Sequence, residues 1–329
     1  MMLKFISKPV IAISAVLVLL ITGNMAVTAA ETMRAALLVN GGAEIRTVPV
    51  PEPLTGQVRI KVLAVSVNPV DWKLASMDGG GEDRIAGRDF AGSIDAVGPA
   101  TTGWKIGDAV TGIAASGSYS EYTIASVASI ALKPANMSFA EAAGMGVVAD
   151  TAWRAIVTVG DVQPGQKVLI HGGAGGVGSA AVQIARARGA HVIATASPRN
   201  HEFLRSLGAN EVIDYNNTRF EEAVADLDLV LNTANLDTGN RSIGVIKEGG
   251  ILVSIVGPPP AAQCAHAKIR CAETGRATGE MLKEVVKLAD AGKFRISIEQ
   301  TLPLEETNKA WDLNRGGHTQ GKIILEVAK

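Results

Sequence analysis

From Met33 to about Trp153 the chain alternates apolar and polar residues over short runs, as in QVRIKVLAV and SEYTIAS, with Gly, Pro and Asp between the runs. A period of two marks strands that bury one face. This part therefore reads as β-rich, with no long helix before the AEAAGMG region. From about Lys167 the texture changes. KVLIH, HVIATA, EVIDY, LDLVLNTA and GILVSIVG are apolar runs of strand length, and SAAVQIARARGA and HEFLRSLGA between them carry helical spacing. Strands that are apolar throughout need cover on both faces, and helical crossovers make their sheet parallel. After Thr278, GEMLKEVVKLADAGK has helical periodicity with a glycine stop. The tail then offers a strand near RISIEQ, a helix from LEETNKAWDLNR and a closing strand GKIILEV, and its strands suit the β-rich part. The expected class is α/β: a first domain of residues 33–150 and 295–329, interrupted by a doubly wound parallel-sheet domain of residues 151–294.

Composition fits that reading, since 329 residues with 47% hydrophobic and 19% charged residues supply the cores of two domains. The balance of 31 basic against 32 acidic residues leaves no basic surface for nucleic acid or an anionic membrane. The expected partners are small molecules. Residues 1–30 differ from the rest: two lysines, an apolar run from Val10 to Ile21, then small residues. That is the layout of a secretory signal peptide, with cleavage near Ala29 or Ala30 and export to a periplasm or the outside. An uncleaved anchor beginning near Phe5 would instead tether the protein to a membrane through this segment alone, and a non-functional segment would leave it cytoplasmic.

Cys264 and Cys271 lie on what reads as one extended segment. Side chains seven positions apart on a strand point to opposite faces, so the expectation is two unpaired cysteines. With His266 between them they do not make a zinc spacing.

The chemistry starts at HGGAGGVG, residues 171–178. Gly173, Gly175 and Gly178 form G-x-G-x-x-G after the strand KVLIH and at the head of a helix. The first glycine is expected to allow the turn, the second to let the backbone approach a pyrophosphate, and the third to pack helix on strand. With Ala174, Gly176 and Val177 they would present main-chain amides to the phosphates of a dinucleotide. The next strand ends on Ala196 and Ser197 rather than on the Asp or Glu that usually bonds the ribose, with Arg199 close behind. Ser197 and Arg199 suit a 2′-phosphate, and so NADP; SPRN also reads as a plain Ser-Pro turn with a solvated arginine. Asn232 and Thr233, and then Val256 and Gly257, end two further strands and so border the ligand crevice.

VSVNPVDWK, GRDFAG, SGSYSEY, TAWRAI, VLIHGGAGGVGSAAVQIA, EVIDY, LVSIVG and GKIIL occur in this order across residues 33–329. In this set the chain resembles the medium-chain dehydrogenases/reductases, in the zinc-free quinone oxidoreductase branch related to zeta-crystallin. The resemblance implies a GroES-like catalytic domain interrupted by a Rossmann domain, NADPH in the cleft, and a homodimer as a common assembly. In relatives the stretch near 264–272 is a hydrophobic strand, whereas here it reads CAHAKIRCA. Where the zinc enzymes of the superfamily hold metal, this chain has Asn68 and Arg88-Asp89, so no metal is expected.

Without a Lewis acid, hydride delivery suits acceptors that delocalise charge by themselves, namely quinones and α,β-unsaturated carbonyls. Asn68 and Asp71 of NPVD are placed by the resemblance beside the nicotinamide, with a turn-forming Asn-Pro as the competing role. Tyr119 is a hydrogen-bond donor to a carbonyl or else a packed aromatic. Thr151 resembles a cofactor contact or is a helix cap, and Tyr215 matches a tyrosine near the adenosine phosphate. Lys322 reaches the cofactor or faces solvent. An alternative of another class is an exported or membrane-tethered nucleotide-binding protein that keeps the fold without turnover.

Overall fold

The computed structural model describes residues 31–77 and 84–327. The segment read above as a signal peptide lies outside them. Strands β1 (Thr32–Val39) and β2 (Gly42–Pro49) form an antiparallel hairpin. They are followed by β3 (Gln57–Ser66), β4 (Asp89–Val97), β5 (Ala109–Ile113), β6 (Tyr122–Ser126) and β7 (Ile130–Leu132). Next come β8 (Lys167–His171), β9 (His191–Ala196), β10 (Glu211–Asp214), β11 (Leu227–Asn232), β12 (Ile246–Ser254) and β13 (Arg270–Glu273). These six pair in parallel in the order β10-β9-β8-β11-β12-β13 among the described residues. The tail returns as β14 (Ile298–Pro303) and β15 (Lys322–Glu326), which complete the first sheet in the order β14-β15-β3-β4-β5-β7, with β6 also on β3.

The side-chain period of a strand explains the two-sided cover of the parallel sheet. Val168 and Ile170 of β8, Val192 and Ala194 of β9, and Leu229 and Leu231 of β11 enter one core with the helices Gly176–Ala187 and Leu282–Asp290. The alternate residues Leu169, Ile193 and Val230 enter a second core with Phe220, Ile243 and Cys264. A third core, around Ile60, Phe90, Tyr119 and Trp311, fills the β-rich part and includes Ile323 and Leu325 from the tail.

Two expectations are corrected. The β-rich part contains the helix Pro69–Met77, which opens on proline; its Asp71 accepts the Asn68 amide at 2.8 Å, so the side chain closes the first turn. Its sequence, PVDWKLASM, has no sustained apolar stripe to betray it. The cysteines are joined as a disulfide. The segment is not extended: Cys264 lies in the helix Ala261–His266, Lys268 turns back at φ 55°, and Cys271 follows in β13. The reversal brings the two Cα atoms to 6.2 Å, which strand alternation alone would forbid.

The disulfide closes a short loop and ties the edge strand β13 to a helix. In the chain-entropy account a loop of this size is worth about 2–3 kcal/mol. Replacing both cysteines by alanine is therefore expected to lower the melting temperature by several degrees, and thiol reduction of the parent protein should reproduce that loss. Identical melting curves with and without reductant would contradict a bridge that contributes to stability.

Candidate active site

The glycine-rich turn runs from the end of β8 into the helix Gly176–Ala187, with Gly175 as its N-cap residue. The left-handed residue is Gly172, at φ 67°, not Gly173 as the motif suggested. Gly173 is a glycine for packing: a Cβ there would stand 2.9 Å from that of Ala194 and 3.2 Å from Leu204. Gly178 behaves as expected, since a Cβ would fall 2.2 Å from the Gly172 carbonyl oxygen. Gly175 is different. Its φ of −73° suits any residue, and an added Cβ would meet only the Gly172 oxygen, at 3.5 Å. Neither strain nor crowding asks for glycine there, whereas close approach of a ligand to the backbone does. The turn thus fits a dinucleotide pyrophosphate, with the amides of Gly176, Val177 and Gly178 at the positive end of a twelve-residue helix.

Beside the turn lies a cavity of about 800 Å³, over the carboxyl ends of β9 and β10. Ala174, Gly175, Ser197, Arg199, Tyr215 and Thr233 line it, so it gathers six positions singled out from sequence. Thr218, Arg219 and Arg241, which sequence reasoning missed, line it too; the run NNTRF directly after EVIDY was the available signal for the first two. Among the described residues no carboxylate lines this cavity. Arg241 is engaged by Asp237 at 2.9 Å and by Glu221, and Arg219 lies 3.5 Å from Glu222. Arg199 has no ion pair among the described residues; it donates to the His318 carbonyl of the loop that closes the rim. Asn200 donates to the Ser197 hydroxyl at 3.3 Å.

His171, at the end of β8, is structural. Its ring nitrogens meet Thr195 at 3.2 Å and Ser242 at 3.0 Å, and burial, with a smaller push from Arg241 against the pull of Glu221, lowers its pKa to about 4. Asn232 is also turned inward, donating to the Asn235 carbonyl and accepting from the Ala234 amide. Thr233 bonds the His171 carbonyl at 2.7 Å. Val256 and Gly257 follow β12 on the opposite side of the glycine turn, away from the cavity.

Where the tail meets the glycine turn, a main-chain bond crosses between the two parts and a buried polar network lies beside it in the β-rich part. The Gly321 amide donates to the Ala174 carbonyl at 2.9 Å, fixing the start of β15 on the glycine turn. Lys322 is 4% exposed, so it does not face solvent. Its ammonium donates to the Val67 carbonyl and to Asn68 Oδ1, both at 2.7 Å. Burial lowers its pKa, while Asp89 and Asp71 act against that. Asn68 Nδ2 donates to Asp89 Oδ2 at 2.8 Å, and Asp89 also accepts from Ser66 and from the Val147 amide.

Tyr119 is the packed aromatic of the two readings: it is fully buried and donates to Asp71 Oδ2 at 2.9 Å. Asp71 Oδ1 has no partner among the described residues. Burial raises the Asp71 pKa to about 7, the neighbouring Asp89 charge adding to the rise and the hydrogen bonds from Asn68 and Tyr119 opposing it. Thr151 caps nothing; it is buried inside the helix Gly146–Trp153.

The same helix braces the segment after β13. Asp150 accepts the amides of Thr278, Gly279 and Met281 at 3.0–3.2 Å. Arg154, one turn on, donates to the Thr274 carbonyl at 2.9 Å, and Arg88 reaches across from the start of β4 to the Ala277 carbonyl at 2.8 Å. Arg88 and Asp89, considered above as occupants of a metal site, are thus committed to main-chain and network bonds. Among the described residues no group of three His, Cys, Asp or Glu side chains is placed to hold a metal ion.

Comparison with known proteins agrees with this architecture. Residues 55–135 match the alcohol dehydrogenase GroES-like domain, 140–250 the C-terminal domain of alanine dehydrogenase/PNT, and 207–325 the zinc-binding dehydrogenase profile. The chain is 33% identical to the 2-methylene-furan-3-one reductase of Solanum lycopersicum, over 84% of this chain and 74% of that one. It is also 33% identical to the chloroplastic NADPH-dependent alkenal/one oxidoreductase of Arabidopsis thaliana, over 84% and 73%. The solved quinone oxidoreductase of Coxiella burnetii superposes with a TM-score of 0.82 at 33% identity, covering 91% of this chain and all of that one. With its GroES-like part, its inserted Rossmann sheet and these relatives, the chain belongs to the medium-chain dehydrogenase/reductase superfamily and is an oxidoreductase of the quinone oxidoreductase-like branch.

Proposed function

We propose that this protein uses NADPH to reduce quinones or α,β-unsaturated carbonyl compounds, without a metal ion. The observation that carries the cofactor reading is the cavity beside the glycine turn, lined by arginines and by no carboxylate among the described residues. An acid there would accept ribose hydroxyls and repel a 2′-phosphate; Arg199, without an ion pair among the described residues, attracts it, and Ser197 can donate to it. The acceptor class is supported by the names of the two reductases and of the solved quinone oxidoreductase. Those relatives do not favour a binding protein without turnover.

When bound, NADPH supplies the hydride. The chain's own work is then to hold the reacting groups and exclude competing reactions. Asn68 cannot turn toward a ligand without abandoning Lys322 and Asp89, so it acts as a positioning residue that fixes the floor of the cleft. Tyr119 and Asp71 are buried beneath it and support that floor rather than delivering a proton. Solvent supplies the proton that completes reduction. The Cys264–Cys271 disulfide suits an oxidising compartment and supports the exported reading of residues 1–30, which an N-terminal sequence starting near Glu31 in the mature protein would test.

Three outcomes follow. Steady-state NADPH oxidation with a quinone panel is expected to exceed NADH oxidation at equal concentration, and Arg199→Ala should weaken NADPH binding about tenfold or more while leaving NADH almost untouched. Equal affinities of the parent protein for both cofactors would contradict the assignment. Prolonged chelation should leave activity unchanged, and stoichiometric zinc whose removal abolishes turnover would refute the metal-free mechanism.

The third concerns Asp71. Between its ordinary value of 3.8 and about 7 the folded chain holds a proton that the unfolded chain releases. This stabilisation is complete below the lower value and is lost as pH rises to the upper one, by up to about 1.4 kcal/mol per pH unit. Asp71→Asn should therefore gain stability relative to the parent between about pH 4 and pH 7. Parallel urea-denaturation profiles across that range would contradict a protonated Asp71.

A further inference from the structure

We propose that the acceptor end of the cleft is built for a substrate bearing an oxyanion group, a carboxylate, sulfonate or phosphate, gripped by Arg88, Arg154 and Arg276. This rests on the reductase reading above and names the class of acceptor. The location comes from sheet order. The cavity with Arg199 lies over β9 and β10, and the glycine turn follows β8 in the middle of the sheet. A dinucleotide that lies across this turn extends its other end toward β12 and β13. The segment 274–277 leaves the carboxyl end of β13, on the crevice side of a parallel sheet.

Three cations converge on that short segment from three elements. Arg88 comes from the first part of the molecule and is half-buried, its Nη2 on the Ala277 carbonyl. Arg154 comes from the brace helix, with Nε on the Thr274 carbonyl and Nη2 only 3.5 Å from where a side chain on Gly275 would begin. Arg276 belongs to the segment itself and is exposed.

A carbonyl accepts a hydrogen bond without cancelling the charge, and none of the three arginines has an ion pair among the described residues. The nearby acids are already committed. Asp150 takes three amides, Asp89 takes Ser66, Asn68 and Val147, and Asp71 takes Asn68 and Tyr119. Burial lowers the Arg88 pKa, and the Arg276 charge adds to this against Asp89, Asp71 and Asp150. Arginines brought together without counter-ions repel one another, and a planar oxyanion with several acceptor positions relieves that cost while matching the guanidinium fork. Glu273 and Glu280 flank the segment but are exposed and pair with none of the three.

The test compares 1,4-naphthoquinone with 1,4-naphthoquinone-2-sulfonate, using NADPH and the full-length protein. Arg276 is exposed and makes no hydrogen bond or ion pair among the described residues, so its substitutions are expected to fold like the parent. The ratio of kcat/KM, sulfonate over neutral quinone, is expected to fall about tenfold in Arg276→Ala, further in Arg276→Glu, and to recover largely in Arg276→Lys. Added salt should lower the same ratio in the parent protein. An unchanged ratio in Arg276→Glu, with the neutral quinone still reduced, would overturn this inference alone. Failure of the parent protein to oxidise NADPH with either quinone would overturn the reductase reading and this inference with it.

Discussion

A buried ammonium fixes the floor of the cleft. Lys322 begins the last strand of the chain, one residue after the amide that bonds the glycine turn, and ends on the Val67 carbonyl and the Asn68 amide oxygen. Burying a cation is costly unless its protons are taken up and opposite charge lies near. Two acceptors at 2.7 Å, with Asp89 beyond Asn68, meet that condition. The geometry is demanding because the lysine and its adjacent acceptors are far apart in the chain, Lys322 and Asn68 by 254 positions. The Gly321–Ala174 bond, one residue before this ammonium, is what couples the glycine turn to the floor of the cleft.

Around that fixed junction the charge is distributed unequally. The network between Lys322, Asn68 and Asp89 is inward-looking, with its donors and acceptors consumed by protein. Among the described residues, Arg199 over β9 and β10, and Arg88, Arg154 and Arg276 around residues 274–277, have no ion pair. A phosphorylated dinucleotide and an anionic acceptor would meet opposite charge at both ends, while the middle supplies alignment without a group that titrates into the reaction. This is the electrostatic pattern expected where the cofactor carries the reactivity and the protein supplies orientation.

Much of this was legible in the sequence because it is written in local periodicity. The strands from KVLIH to GILVSIVG, the return of the tail, and the glycine turn each depend on residues close together in the chain. The lack of an acid after HVIATA was also a local feature, and it belongs to a cavity that no carboxylate lines among the described residues. What escaped reading depends on distant or non-periodic contacts. Asn68 and Lys322 meet across 254 positions, and nothing in NPVD or GKIIL announces the other. The helix Pro69–Met77 was hidden by its weak apolar stripe, and the disulfide by a reversal at Lys268, a residue seldom found in the left-handed region. The turning glycine was misplaced by one position because a motif fixes spacing, not dihedral angles. The arginines around residues 274–277 come from three separate elements, so only the folded chain brings them together.

The most direct test of hydride transfer in this cleft is a single-turnover experiment with NADPH deuterated at both C4 positions and a simple enone such as 3-buten-2-one. Mass spectrometry of the saturated ketone should find one deuterium, located on the carbon that was β to the carbonyl, with the second hydrogen drawn from solvent. Tight binding of the labelled cofactor with no deuterium in the ketone, and no NADP formed with any enone or quinone, would mean that the fold holds a nucleotide without performing the reduction.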